Sequence, residues 1–398
     1  MRVLQLTNKG NYPPDGGNIA VMNMAKAYAD HGYTIDLITI ITHKHQNSAQ
    51  LIPPEYHDKI ILKGVKVNTR MNVFSLLYNL LFSSLPYMAS RFISKKYKKA
   101  IEKKLLHNTY DFIQIEGPYL SPYIPYIKEL TKAKIILRSH NIEHRIWERW
   151  SHEAGILKRF YLNKQVARLK KFEKWAVDQV NYLLPISEVD KQWFRHQGFD
   201  LPMHTATFGI NINDYPYTKG SKEGNKLCFL GALDWKPNIT GLKWFVKNVW
   251  VPVSRKHPHL EFHVAGRNAE PGMHDYLDKH GCRFHGEVEN AKEFIAQNDM
   301  LLVPLFSGSG MRVKIIEAMA LGKAVLATPI AVEGINCQNG KDIIICHDKE
   351  NFIQKITTLQ DNKNQLEELG KHARHYISKN FDNFAIAERV LKFINQQE

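Results

Sequence analysis

The stretch SGSGMRVKIIEAMALGKAVLATPIAVEGI, from Ser307 to Ile335, decides how this chain is read. Small residues open it, and they let a backbone approach a ligand closely. An amphipathic run follows, closed by Gly322, and AVLAT then reads as a short buried strand. At a helix N-terminus the free N–H groups and the helix dipole favour a phosphate. Arg312 and Lys314 add positive charge at that point. Glu317 would repel a phosphate, but a carboxylate a turn into the helix can accept the hydroxyls of a ribose. The set reads as a cradle for a nucleoside diphosphate. The alternative is an ordinary strand–loop–helix crossover with a solvated glutamate. Against it, Glu317 is followed by Ala318 and Met319 on a largely apolar helix, where an unpaired carboxylate is costly.

Outward from this stretch, apolar runs alternate with helical patterns. Arg2–Leu6, Thr34–Ile41, Phe112–Ile115, Lys134–Leu137 and Tyr182–Leu184 are strand candidates, and Ile19–His31 a helix. The rhythm restarts near Lys226, after the polar loop YPYTKGSKEGNK. Lys226–Leu230, Glu261–Ala265, Cys282–His285, Met300–Pro304 and Ile343–Cys346 read as strands, Asn238–Trp250 and Ala291–Gln297 as helices, and the tail from Lys363 to Gln397 as helical. Strands separated by helical lengths indicate βαβ units and parallel sheets. The expected fold is α/β: two doubly wound Rossmann-like domains facing a cleft that holds the ligand. The expected divisions are residues 1–205, residues 206–375, and a C-terminal helix at 376–398 that returns to the first domain.

The 398 residues are too many for one ordinary core and comfortable for two. No signal peptide is expected, because Met1–Leu6 reads directly as a strand. Cys228, Cys282, Cys337 and Cys346 form no close pair and read as free thiols of a cytoplasmic protein. No metal-ligand spacing stands out, so no metal cofactor is expected. The net charge of +15 favours an anionic partner. Nucleic acid fits poorly, since no helix-turn-helix or stacking motif accompanies the charge. The segment Asn72–Leu106 is first apolar, then basic. Val73–Ala89 falls short of the roughly 20 apolar residues of a membrane span. Two readings stay open: a buried helix pair with a solvated lysine face, or a segment resting on an anionic membrane surface. In the second, Ile93, Tyr97, Ala100 and Ile101 form an apolar stripe, and Leu85 and Phe92 insert.

The opening stretch resembles the nucleotide-sugar signature of GT-B glycosyltransferases, specifically the retaining family 4 (group 1) enzymes of bacterial polysaccharide synthesis. FLGALDWKPNITGLKWF (Phe229–Phe245), RSHNIEHRIWERW (Arg138–Trp150) and the YPPDGGN loop extend the resemblance over nearly the whole chain. It implies a UDP- or GDP-sugar donor and a glycan or lipid-linked acceptor. It places the donor against Gly308, Ser309, Gly310 and Met311, its ribose on Glu317, and its phosphate and sugar near Gly16 and Gly17. The family's first glutamate falls at Ser309, its usual arginine at Ala232, and its lysine only approximately at Lys236. Diphosphate neutralisation is therefore expected from Arg312, Lys314 and Arg267. His140 resembles the family histidine near the reaction centre and follows a strand end, where α/β sheets gather ligands. Glu116 is a weaker candidate for the acceptor, with a solvated loop carboxylate as the equal alternative, and Glu143 and Arg145 are expected on a helix surface, from which Glu143 could reach the cleft. Two other readings remain: a GT-B sugar-nucleotide epimerase, and a non-catalytic nucleotide-sugar-binding protein.

Overall fold

The computed structural model describes residues 1–13, 15–220, 225–308 and 311–396. The chain forms two compact units. One is Met1–Gly209 together with the chain from Asn383 onward; the other is Ile210–Asp382. The divisions lie a few residues beyond 205 and 375. The second is set by one continuous helix, Lys363–Asn380, which carries the chain past residue 375.

In the first unit the order is β1 (Arg2–Thr7), α1 (Gly16–Asp30), β2 (Thr34–Ile41), β3 (Ile60–Lys66), α2 (Val73–Phe82), α3 (Tyr87–Ser90), α4 (Lys95–His107), β4 (Phe112–Glu116), α5 (Ile124–Leu130), β5 (Lys134–Ser139), α6 (Glu143–Glu153), α7 (Ile156–Asp178), β6 (Tyr182–Pro185) and α8 (Glu188–His196). The six strands are all parallel, in the order β3-β2-β1-β4-β5-β6. A parallel sheet is covered on both faces, so its strands read as continuous apolar runs. Val3, Leu4 and Leu6 on successive turns of the pleat are all fully buried.

The second unit runs β7 (Lys226–Leu230), α9 (Lys236–Phe245), α10 (Val251–Lys256), β8 (Glu261–Ala265), α11 (Met273–Lys279), β9 (Arg283–Phe284), α12 (Ala291–Ala296), β10 (Met300–Val303), α13 (Val313–Ala320), β11 (Ala324–Ala327), β12 (Ile344–Ile345), α14 (Lys349–Asp361) and α15 (Lys363–Asn380). Its parallel sheet has the same winding, β12-β11-β10-β7-β8-β9. A π turn at Val246–Trp250 joins α9 to α10. It precedes Pro252, which has no N–H to continue the helical ladder. The core packs Leu227, Phe229, Phe245, Trp250 and Phe262 with Phe352 and Ile356. Cys228, Cys282, Cys337 and Cys346 are free thiols.

The helical tail is two helices, α15 and α16 (Asn383–Asn395). Ile386, Ala387, Val390 and Ile394 of α16 join Val21, Ala25 and Tyr28 of α1 in the first unit's core.

The apolar stripe expected to face a membrane on α4 faces inward. Tyr97 and Ile101 are fully buried with Phe92 against Leu6 and Ile38. Tyr97 Oη donates to Ile38 O at 3.0 Å. Lys104 pairs with Asp36, which also accepts from Arg2 Nε at 2.7 Å and Tyr110 Oη at 2.8 Å. A buried carboxylate on β2 thus fixes α4 by its basic face.

One close approach sets the loop after β10. A Cβ at Gly241 on α9 would lie 1.9 Å from Pro304 O. Gly241→Ala gains about 1 kcal/mol of helix propensity, yet overpacking against a backbone oxygen is expected to cost more, leaving a net loss of up to about 2 kcal/mol. Urea unfolding of the variant checks this; stability equal to or above wild type would contradict it.

Candidate active site

In the second unit the strand order reverses between β7 and β10, and open α/β sheets take ligands at such a point. The loop after β7 is braced from inside. Asn238, 4% exposed, donates to Ala232 O at 2.9 Å. A Cβ on Gly231 would lie 2.7 Å from Asn238 Nδ2, so that position must be small. Lys314, on the first turn of α13, reaches back to this loop. Its Nζ donates to Leu230 O at 2.7 Å and to Asn238 Oδ1 at 3.4 Å, over the Phe229 ring. Burial, with the Arg312 charge adding to it, pulls the Lys314 ammonium down to about 7.

Arg312 immediately precedes α13 and is largely buried, with its guanidinium 5.6 Å from the Trp235 ring centroid. Gly308 has φ 115°, and a Cβ there would come within 2.9 Å of both Arg312 and Trp235. Glycine is therefore required at 308 for conformation and for space. Met311 is half-buried beside Arg312. Ser309 and Gly310 lie outside the described residues. Arg267 is exposed at the carboxyl end of β8, and its carbonyl accepts from Leu233 N at 2.8 Å. It shares the sheet edge with the loop after β7.

Glu317 lies three residues beyond Lys314 on α13 and accepts from Tyr215 Oη at 2.9 Å through Oε1. Burial raises its pKa, partly offset by the Tyr215 hydrogen bond and the Lys292 charge. Tyr215 is held in turn: Arg374 donates to its carbonyl and to Ala320 O, and Lys292 Nζ sits 4.1 Å from its ring centroid. The carboxylate is thus paired through one oxygen and oriented from the far end of the unit. Tyr215, Asn238 and Trp235 escape a sequence reading, since Tyr215 stands 102 positions from the glutamate it orients.

The first unit repeats the reversal between β1 and β4. Asp15 caps α1 by accepting from Asn18 N at 2.9 Å and pairs with Lys9 Nζ at 2.8 Å. Gly16 and Gly17 are the first two residues of that helix. A Cβ on Gly17 would meet Lys9 Nζ at 2.7 Å, so the glycine makes room for the lysine.

His140 follows β5 with its Nε2 2.6 Å from Glu116 Oε2 at the end of β4. Glu116 is not a loop carboxylate. Its side chain is 1% exposed, and Oε1 accepts from Gln5 Nε2 and Gln114 Nε2, both at 2.6 Å. Arg138 Nη1 stands 3.7 Å away. Burial alone would raise its pKa, but the Arg138 charge and the His140 and Gln114 hydrogen bonds outweigh it and hold Glu116 at about 2. The ionised carboxylate fixes the imidazole with an N–H on Nε2.

Glu143 is not a surface residue either. It accepts from Tyr119 Oη at 2.7 Å, and burial raises it to about 7. The N-terminus of α6 is capped from α7: Glu173 accepts from Glu143 N at 2.8 Å and His144 N at 3.0 Å.

Residues 224–362 match the family model described as Glycosyl transferases group 1. An uncharacterized 44.6 kDa protein in the cps region of Klebsiella pneumoniae is 23% identical over 404 residues, covering 98% of this chain and 99% of that one. Among solved structures, Anabaena HepE in complex with UDP aligns over all of both chains with TM-score 0.63 at 15% identity. Sucrose-phosphate synthase from Thermosynechococcus elongatus aligns over 100% of this chain and 99% of its own with TM-score 0.65 at 13% identity.

Two predictions follow from this geometry. An anion seated beside Lys314 raises a pKa that rests at about 7 in the free protein. Nucleoside diphosphate binding at pH 8 is then accompanied by proton uptake, and affinity falls as pH rises above 7, by up to about tenfold per unit. Calorimetry in buffers of different ionisation enthalpy reads the uptake, which should vanish in Lys314→Met; uptake that persists in the variant would exclude Lys314 as its source. Glu116→Gln leaves Arg138 buried without its counter-charge and should cost about 3 kcal/mol at pH 7. Because its folded pKa lies below the ordinary 4.5, the Glu116 contribution is complete above pH 4.5 and lost as pH falls towards 2. The variant should show a shallower acid loss of stability over that range, and an unchanged slope would contradict the assignment. The chain thus has the two-sheet GT-B architecture of these solved structures, and residues 224–362 of its second unit match the glycosyl transferases group 1 model.

Proposed function

We propose that this protein is a retaining glycosyltransferase that moves a sugar from a UDP- or GDP-sugar to a glycan or lipid-linked acceptor in cell-envelope polysaccharide synthesis. The observation that carries the reading is the placing of Gly308, Arg312, Lys314 and Glu317 around the start of α13, within the matched group 1 domain. UDP in the Anabaena structure and the cps-region relative support the donor class and the pathway class.

In this reading the second unit holds the donor. The ribose hydroxyls meet Glu317, whose Oε1 is already positioned by Tyr215. The diphosphate lies against the loop before α13, where backbone N–H groups and Arg312 carry its charge. Lys314 turns from Leu230 O to the phosphate and gains its proton there. The first unit holds the acceptor, with His140 hydrogen-bonding the sugar or the acceptor hydroxyl. The bond from the anomeric carbon to the diphosphate breaks, and the acceptor oxygen bonds to that carbon on the same face. The hydroxyl proton leaves with the departing phosphate. Cationic side chains and N–H groups neutralise the leaving group, so turnover proceeds without a divalent cation. The enzyme works in the cytoplasm, at the inner face of the cell membrane.

Incubation with a panel of UDP- and GDP-sugars, with and without a lipid-linked acceptor fraction, tests the reading. Transfer requires acceptor and survives EDTA. Epimerisation without acceptor, or binding without release of diphosphate, would contradict it. Glu317→Gln should weaken UDP or GDP binding by about 1.5–3 kcal/mol with thermal unfolding little changed. Equal affinity would remove the ribose role.

A further inference from the structure

Helix α2 is inside out. Its buried residue is Asn79, while Val73, Phe74, Leu77, Tyr78, Leu81 and Phe82 are each between 50% and 79% exposed. Polar bonds hold it in this orientation. Arg168 of α7 donates to Asn79 O at 2.9 Å and to Leu80 O at 2.8 Å. Gln165 donates to Asn79 Oδ1 at 3.1 Å and accepts from Tyr87 N at 2.8 Å, while Asn79 donates to Leu85 O at 3.1 Å. The hydrogen bonds thus fasten the polar side of α2 to the unit and leave its apolar side outward, the reverse of a helix packed on a core.

The neighbouring surface continues the pattern. A groove of about 650 Å³ runs beside α2, lined by Met71, Tyr87, Trp147, Trp150 and Tyr161, with Arg91 and Lys158 as its cations. Ile156 and Phe160 on the first turns of α7 are 86% and 73% exposed. Between Ile156 and Lys171 the chain carries six lysines and arginines and no acid, and Lys158, Arg159, Lys164, Lys170 and Lys171 of these are exposed. Contiguous exposed apolar surface of this kind marks an interaction site. Among the described residues no helix is long and apolar enough to cross a membrane.

We infer that the exposed faces of α2 and the start of α7 dock this protein onto an anionic lipid bilayer, with leucine and aromatic side chains entering the acyl boundary and the lysines and arginines meeting the headgroups. The charge pattern selects this occupant. A second copy would bring two basic surfaces against each other, and nucleic acid offers the apolar side chains no acyl phase. The aromatic residues suit an interface that is apolar on one side and wet on the other. Docking gives the proposed lipid-linked acceptor a surface of approach, and it rests on that reading only for its purpose, since lipid binding is read without any transfer.

The test is sedimentation of the full chain with vesicles of phosphatidylglycerol and phosphatidylethanolamine, against phosphatidylcholine alone, at about 0.1 M and about 1 M salt. Binding to the anionic vesicles that fades at high salt is expected. The variant Leu77→Gln/Leu81→Gln/Phe160→Gln should lower vesicle affinity at least tenfold while its thermal unfolding matches wild type, since all three side chains are already exposed. Lipids brominated on the acyl chains should quench tryptophan fluorescence, and less so in Trp150→Phe. Equal recovery in the supernatant under every condition would overturn the inference. So would unchanged binding by the triple variant, or an apolar face that instead holds a dimer dissolved by the same substitutions. Loss of transfer with binding intact would count against the enzymatic reading alone.

Discussion

The reversal of strand order at the centre of each parallel sheet is the constraint on which the rest depends. It makes the loops leaving two adjacent strands part in opposite directions, and no side chain of the sheet has to fill the space between them. In the second unit that parting separates the loop after β7 from the loop before α13. Everything around it serves to hold the two loops in place: Asn238 under Gly231, Gly241 against Pro304, Gly308 under Arg312 and Trp235. Lys314 then spans from α13 to the β7 strand end, so the two loops share one cation. Burial and the neighbouring Arg312 charge leave that cation's proton loosely held, even with Leu230 O accepting from it.

The first unit solves the same problem with a buried charge. Glu116 is surrounded by Gln5, Gln114, Arg138 and His140, drawn from β1, β4 and the end of β5. Gln5 and Arg138 come from the two adjacent strands and Gln114 from the strand of Glu116 itself, so parallel register brings these together, and His140 joins them one residue past the end of β5. The network orients His140 and leaves it as the partly exposed member of the cluster. Glu143 adds a second carboxyl near the same sheet edge, held by Tyr119 and, unlike Glu116, raised by burial.

Much of this was legible in the residues, for a physical reason. Strands buried on both faces must be continuous apolar runs, and helices between them must show the longer period, so the alternation specified the two doubly wound sheets. β3 was not legible: its IILKGVK sequence interleaves exposed residues and a glycine at the edge of the sheet. The start of α13 was legible because its glycines, cations and carboxylate are local in sequence. The partners that orient them were not, since Tyr215, Trp235 and Asn238 are brought in by tertiary folding. The direction in which α2 and α4 face was illegible for a different reason. Both are amphiphilic, and the choice is made by buried polar anchors, Asp36 for α4 and Asn79 for α2, that composition alone does not distinguish from solvated residues. The basic helix therefore packs by its apolar stripe, and the apolar helix by its polar residue.

The proposed function stands or falls on a nucleoside-diphosphate site at the start of α13. A crystal structure of the protein with UDP or GDP tests it most directly. Expected are the ribose hydroxyls on the Glu317 carboxylate, the diphosphate against the start of α13 beside Arg312, and Lys314 Nζ moved from Leu230 O to a phosphate oxygen. A nucleotide bound elsewhere, with Lys314 still on Leu230 and the ribose out of reach of Glu317, would contradict it.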